Sequence, residues 1–144
     1  AAAPVEAILM RLPGVMLAAV YAVPSSEVGD EVMAALLFEP GCDFDAAGFP
    51  AFLAAQSDLG TKAAPRYVRV ARELPATPSN KILKRELRDE AWECGDPVSW
   101  RQADGSYRQL TSEDARRIRA AEPAGVTSWV PSTSIVRVSS RSSR

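Results

Sequence analysis

Apolar residues near the start of the chain fall at Val5, Ile8, Leu9 and Leu12, the i, i+3, i+4, i+7 spacing of one helix face. Pro13-Gly14 closes that helix. Val15 to Val23 is apolar almost throughout and bounded by turn residues, which predicts a strand buried on both faces. Pro24-Ser25-Ser26 and Gly29-Asp30 make a polar loop, and Val32 to Phe38 is a second apolar strand, ended by Glu39-Pro40-Gly41. Phe49, Phe52, Leu53 and Gln56 mark a second helix. Asp45 is a candidate cap for it, Pro50 fits its first turn, and Gly60 suits its end. From Tyr67 to Arg72, Val68 and Val70 alternate with Tyr67, Arg69 and Ala71, the period-two pattern of a half-exposed strand. Pro75 to Asn80 reads as a loop. A third helix comes next, with Leu83, Leu87 and Ala91 on one face and a basic cluster of Lys84, Arg85 and Arg88 elsewhere.

The character of the chain then changes. Val98 to Arg101 and Tyr107 to Leu110 flank Asp104-Gly105, a hairpin signal. Thr111-Ser112-Glu113-Asp114 opens a short helix carrying Arg116, Arg117 and Arg119. Beyond Pro123 the Ser/Arg-rich end reads as a flexible tail. The expected fold is α+β: a small three-stranded sheet with helices packed on it, plus a C-terminal hairpin and short helix. The expected division is 1–94 for the main unit, 95–124 for a hairpin-helix extension and 125–144 for the tail.

Composition narrows the chemistry. The chain has 144 residues, 47% of them hydrophobic, and a formal net charge of −1. That length buries a real core, and the balanced charge gives no reason to expect nucleic acid or a membrane surface. There is no histidine, so Ser-His-Asp and Cys-His catalysis within this chain are excluded. Two lone cysteines, Cys42 and Cys94, make neither a metal site nor a disulfide framework; both read as buried or half-buried thiols, and a reducing cytoplasm is the expected location. Glu6, Arg11 and Pro13 interrupt the apolar opening, which lacks a basic leader, so it is not read as a signal peptide. No apolar run reaches the roughly 18 residues of a membrane span. The chain does not open with methionine and is read as a segment of something longer.

The informative stretch runs from Glu73-Leu74-Pro75 through Thr77-Pro78-Ser79-Asn80-Lys81 to Leu87-Arg88. Two prolines stiffen a loop that ends on a lysine just before a helix. Asn80 accepts positive φ at low cost, so a sharp turn there presents Lys81 at a defined angle. An ammonium on a long stem suits a phosphate or carboxylate. Taken alone, a lysine at such a junction is more often a solvated surface residue, and the basic cluster beside it a solvated helix face.

The wider pattern resembles the C-terminal domain of the adenylate-forming superfamily of acyl-CoA synthetases, nonribosomal-peptide adenylation domains and luciferases. Glu73-Leu74-Pro75, Thr77, Ser79, Lys81, Ile82, Arg85 and Leu87-Arg88 resemble its C-terminal signature. Pro65-Arg66 with Tyr67 to Val70 resembles the strand before it. Pro4-Val5-Glu6, Leu12 to Val15, Ala18 to Pro24 and Gly29 to Ala34 resemble its opening segments in the same order. The resemblance covers about residues 1 to 94. Asn80 stands where glycine is usual, Leu12 where histidine is common, and Lys62-Ala63-Ala64-Pro65 where a Tyr-Lys-x-Pro pattern is usual. Asp96 to Arg101 and Tyr107 to Thr111 resemble the fatty-acid-transport-protein, very-long-chain branch.

The resemblance implies a fatty acyl-CoA synthetase reaction in two halves. A carboxylate attacks the α-phosphate of ATP to give acyl-adenylate and pyrophosphate, and a thiol, coenzyme A or a carrier-protein pantetheine, then displaces AMP. It implies that Lys81 is the catalytic lysine of adenylation. Arg85 and Arg88 are candidates for contacts with the partner domain or coenzyme A phosphates, set against the plain reading of solvated surface charge. ATP, coenzyme A and fatty acid are the implied substrates. The implied partner is an N-terminal AMP-binding domain of the same polypeptide, which would hold magnesium and the acyl pocket. The family's hinge motif would lie just before Ala1. This chain shows no glycine-rich phosphate loop and no magnesium-binding acid cluster, so alone it is expected to be inactive. Any membrane association would come through that other domain. The rival reading is a non-catalytic α+β protein-interaction domain. A nucleotide- or nucleic-acid-binding module fits less well with neutral charge and 7% aromatic content.

Overall fold

The computed structural model describes residues 2–25, 29–60, 63–120 and 136–139. Helix α1 (Ala2–Leu9) leads into β1 (Val15–Ser25) and β2 (Gly29–Phe38), and α2 (Phe49–Ala54) precedes β3 (Tyr67–Ala71) and β4 (Glu73–Ala76). Then come α3 (Lys84–Glu90), the hairpin β5 (Val98–Arg101) and β6 (Tyr107–Gln109), α4 (Ser112–Ala120) and β7 (Val136–Ser139). No helix among the described residues is long and apolar enough to cross a membrane.

The main sheet has five strands in the order β1-β2-β3-β5-β6. The β1–β2 pair is antiparallel and β2–β3 parallel, while β5 runs antiparallel to both β3 and β6. The three strands expected from the apolar runs are present, and the hairpin adds two more to the same sheet. Its turn forms where Asp104-Gly105 predicts it: Gln102 N–H donates to Ser106 O at 2.7 Å, and Gly105 takes φ of 87°.

Strand β3 departs from its half-exposed pattern. Tyr67, Val68, Arg69 and Ala71 are all buried, because β3 is flanked by β2 and β5 and covered on both faces. Register lines up Tyr21, Met33, Tyr67 and Trp100 across four strands. That row belongs to a core completed by Leu74 and by Leu87, Ala91 and Trp92 in and just after α3. The opposite row, Val20, Ala34 and Val68, packs with Val5 and Leu9 of α1 and with Phe49. Thus α1 and α2 cover one face and α3 the other, as a strand apolar on both sides requires. Tyr107 ties β6 to the first of these layers: its ring meets Phe49 edge-on at 4.9 Å, and its hydroxyl donates to Pro65 O.

Two further segments depart from expectation. The stretch 75–80 is not all loop: Pro75 and Ala76 end β4, a strand outside the main sheet. Within the segment read as a flexible tail, β7 pairs antiparallel with β4, Leu74 facing Val138 and Ala76 facing Val136. The rest of that tail, 125–135 and 140–144, lies outside the described residues.

Candidate functional site

Lys81 sits at the mouth of a tight hairpin built by β4 and the segment that leads into α3. Thr77 N–H donates to Lys81 O at 2.8 Å, Leu83 N–H donates to Pro75 O at 2.8 Å, and Ala76 bridges to Ile82. Between Thr77 and Lys81 lie three residues. Asn80 N–H donates back to Thr77 O at 2.9 Å, closing a turn with Pro78 at its second position, where proline's fixed φ fits. Asn80 itself adopts φ of 67°. A turn followed by one left-handed residue is a standard three-residue hairpin loop, and asparagine tolerates that conformation better than most non-glycine residues. This accounts for Asn80 at a place where glycine is common.

Side chains complete the closure. Thr77 Oγ1 accepts from Lys81 N–H at 3.1 Å and lies 3.0 Å from Ser79 Oγ. Both backbone polar groups of Lys81 are therefore engaged by Thr77, while the lysine side chain is exposed. The motif's Thr77 and Ser79 thus shape the loop, and Ile82 and Leu87 anchor the adjoining segment by packing into the core beneath α3. Arg85 and Arg88 lie exposed on α3, three residues apart on one side of the helix.

Two charged sites were not read from the sequence. Lys84, taken there for a solvated residue, places its ammonium 2.7 Å from Glu6 Oε2. The same oxygen accepts the Val20 N–H of edge strand β1 at 2.7 Å. Proximity to Glu6 is the one signal missing from a linear pattern, since 78 positions separate the two residues. Arg69, in a strand read as half-exposed, is 4% exposed and held by Asp96 and Glu90, each at 2.8 Å. Burial pulls its pKa down, but the hydrogen bonds to Glu90 and Asp96 and the charge of Glu90 help push it up by more, so the guanidinium stays charged.

The cysteines take different places. Cys42 is exposed, not buried, because it lies on the loop beyond β2, against Gly14. Cys94 is half-buried; burial raises its thiol pKa, and Sγ donates to Asp96 O at 3.6 Å. Cys94 is therefore not a poised nucleophile on this geometry. Among the described residues no group of three or more Cys, Asp or Glu is arranged to hold a metal ion.

A five-stranded mixed sheet with helices on both faces, beside a separate hairpin that presents a lysine, defines a small domain of α+β class. Residues 4–81 match the model of the AMP-binding enzyme C-terminal domain, and the chain belongs to that family. It is 57% identical over 94 residues to the steroid-22-oyl-CoA synthetase of Rhodococcus jostii, covering 65% of this chain and 17% of that protein. It is 52% identical over 96 residues to the medium/long-chain-fatty-acid–CoA ligase FadD17 of Mycobacterium marinum, covering 67% and 19% respectively. The chain thus spans less than a fifth of these relatives' length. Among solved structures it resembles ATP-bound MatB from Rhodopseudomonas palustris, with a TM-score of 0.55 and 26% identity over 61% of this chain and 17% of that one.

Proposed function

We propose that this chain works as the mobile C-terminal domain of an ATP-dependent acyl-CoA synthetase and that Lys81 is its adenylation lysine. The observation that carries the reading is the closed Thr77–Lys81 hairpin: a backbone fixed by its own hydrogen bonds delivering one exposed ammonium, at the end of the segment that matches the family model. In the first half-reaction a carboxylate oxygen bonds to the α-phosphorus of ATP, and the bond to the bridging oxygen breaks with departure of pyrophosphate. Both reactants are anions. The Lys81 ammonium, placed between them, reduces their repulsion and meets the charge that grows on the phosphoryl oxygens. In the second half the sulfur of coenzyme A attacks the acyl carbonyl and AMP leaves.

On this reading residues 1–94 form the cap domain and 95–124 an extension that widens its sheet. Arg85 and Arg88 contact the N-terminal AMP-binding domain or coenzyme A phosphates. That N-terminal domain holds magnesium, ATP and the acyl pocket. The names of the relatives support a bulky apolar acid, a fatty acid or steroid acid, as substrate.

The test joins this chain to an N-terminal AMP-binding domain and compares wild type with Lys81→Ala. Acid-dependent ATP–pyrophosphate exchange should fall by about a hundredfold or more, the usual cost of removing one preorganised charge stabiliser. Thioester formation from supplied acyl-adenylate should survive. Equal exchange in both proteins would return Lys81 to solvated surface charge and bring the interaction-domain reading forward.

A further inference from the structure

We infer that Glu6 is a positioning residue for Lys81, acting through Lys84; the inference rests on the adenylation reading above. The hairpin fixes the shape of the Lys81 loop, but shape alone does not orient it on the domain. The loop meets the body through Leu74 of β4, Ile82 and Leu87, whose apolar contacts are non-directional, and through Lys84, whose charged contact is directional. Lys84 is the first residue of α3 and stands three positions after Lys81. A lysine there opposes the helix dipole, whose positive end lies at the same place, so it is not explained by helix formation.

Glu6 supplies the compensating charge from the other layer of the fold. It stands on α1, which packs on one face of the sheet, while α3 packs on the other. The two meet around β1, the edge strand, where one carboxylate oxygen takes both the Val20 N–H and the Lys84 ammonium. Glutamine would satisfy the strand N–H equally well; only the ammonium calls for a carboxylate. The pair is screened in part, with side chains 22% and 34% exposed, so it is neither a free surface pair nor a buried one. Its geometry fixes the start of α3, and through three residues the direction in which Lys81 points.

The test uses the two-domain ligase and four variants: Glu6→Gln, which keeps the acceptor for Val20; Lys84→Met, which keeps the aliphatic stem; Lys84→Arg; and the double variant Glu6→Gln/Lys84→Met. Glu6→Gln and Lys84→Met should each slow ATP–pyrophosphate exchange by about tenfold, within the roughly hundredfold cost of an ångström of misplacement. Thioester formation from supplied acyl-adenylate should hold. Lys84→Arg should restore most of the exchange, and the double variant should be no slower than either single one. Lys81→Ala runs alongside: if it leaves exchange intact, the adenylation reading is what fails. If Lys81→Ala collapses exchange while Glu6→Gln and Lys84→Met match wild type, the positioning role is wrong. It is equally wrong if the two losses multiply, or if both half-reactions slow together with a lowered melting temperature.

Discussion

Removing Asp96 should destabilise this chain far more than removing its partner and Asp96 together. Asp96 Oδ2 accepts from Arg69 Nε at 2.9 Å and Nη2 at 2.8 Å, and the two side chains are 8% and 5% exposed. Arg69 remains charged, so Asp96→Ala leaves a cation inside the domain with one partner, Glu90, whose side chain is 41% exposed. Breaking a buried pair from one side costs about 3–5 kcal/mol, and the surviving Glu90 contact puts the expectation near the lower end, at about 3 kcal/mol. For a chain of this size that is a melting temperature lower by roughly 10 °C and a urea midpoint lower by about 1.5 M. Arg69→Met added to Asp96→Ala removes the stranded charge and should recover all but about 1 kcal/mol, since Glu90 returns to water. Urea melts of wild type, Asp96→Ala, Arg69→Met and the double variant decide it. The reasoning is refuted if Asp96→Ala stays within about 1 kcal/mol of wild type, or if the Arg69→Met and Asp96→Ala losses simply add.

Local geometry sets two further outcomes. Gly14 has φ of +83°, and a Cβ there would lie 2.6 Å from Cys42 Cβ and 2.8 Å from its Sγ. Gly14→Ala should therefore lose more than the 1–2 kcal/mol, roughly, of left-handed strain alone, while Gly41→Ala, at φ of +82° in open space, should lose only that strain in the same urea melts. Asp114 is held well below the usual carboxylate range, first by the Thr111 N–H, then by Arg108, the Thr111 hydroxyl and Arg117. A depressed folded value means that its stabilisation is complete above the unfolded value of about 3.9 and is lost as pH falls through the folded one. Urea midpoints measured from about pH 7 downward should hold to near that value and then drop, and Asp114→Asn should flatten the drop while lowering the plateau.

Apolar periodicity reveals what is local in this fold. The helix face of Val5, Ile8 and Leu9, the doubly buried strands and the Asp104-Gly105 turn all come from neighbours in sequence. The lysine loop was legible for the same reason, since Thr77, Pro78, Ser79 and Asn80 make their turn among themselves. What pairs at long range was not. Alternation on β3 suggested an exposed face, but the face of Tyr67, Arg69 and Ala71 is covered by α3, and its arginine finds its acids 21 and 27 residues away. The segment from Asp96 to Thr111, read from the sequence as a hairpin, is full of anchors. Asp96 holds Arg69, Tyr107 reaches Pro65, and Thr111 receives Asp114. β7 was missed because it lies in a stretch whose composition resembles a tail, and strand addition depends on a waiting edge more than on its own propensity.

The division between local shape and distant orientation bears directly on how such a lysine could work. A hairpin closed by its own turn keeps its form wherever it is carried, which suits a group that must arrive at a site made by another domain. The same independence means that the turn itself does not decide where Lys81 points relative to the sheet. That falls to the arms on either side of it: Leu74, Ile82 and Leu87 join it to the core, and Lys84 joins it to α1. Apolar burial sets how deeply the segment sits; the Glu6–Lys84 contact adds direction, because a charged hydrogen bond weakens steeply as its angle opens. On the proposed adenylation reading, an exposed charge in a moving domain is compatible with a defined approach. Its freedom would lie in the movement of the whole domain, and its aim would be set within it by the Glu6–Lys84 ion pair.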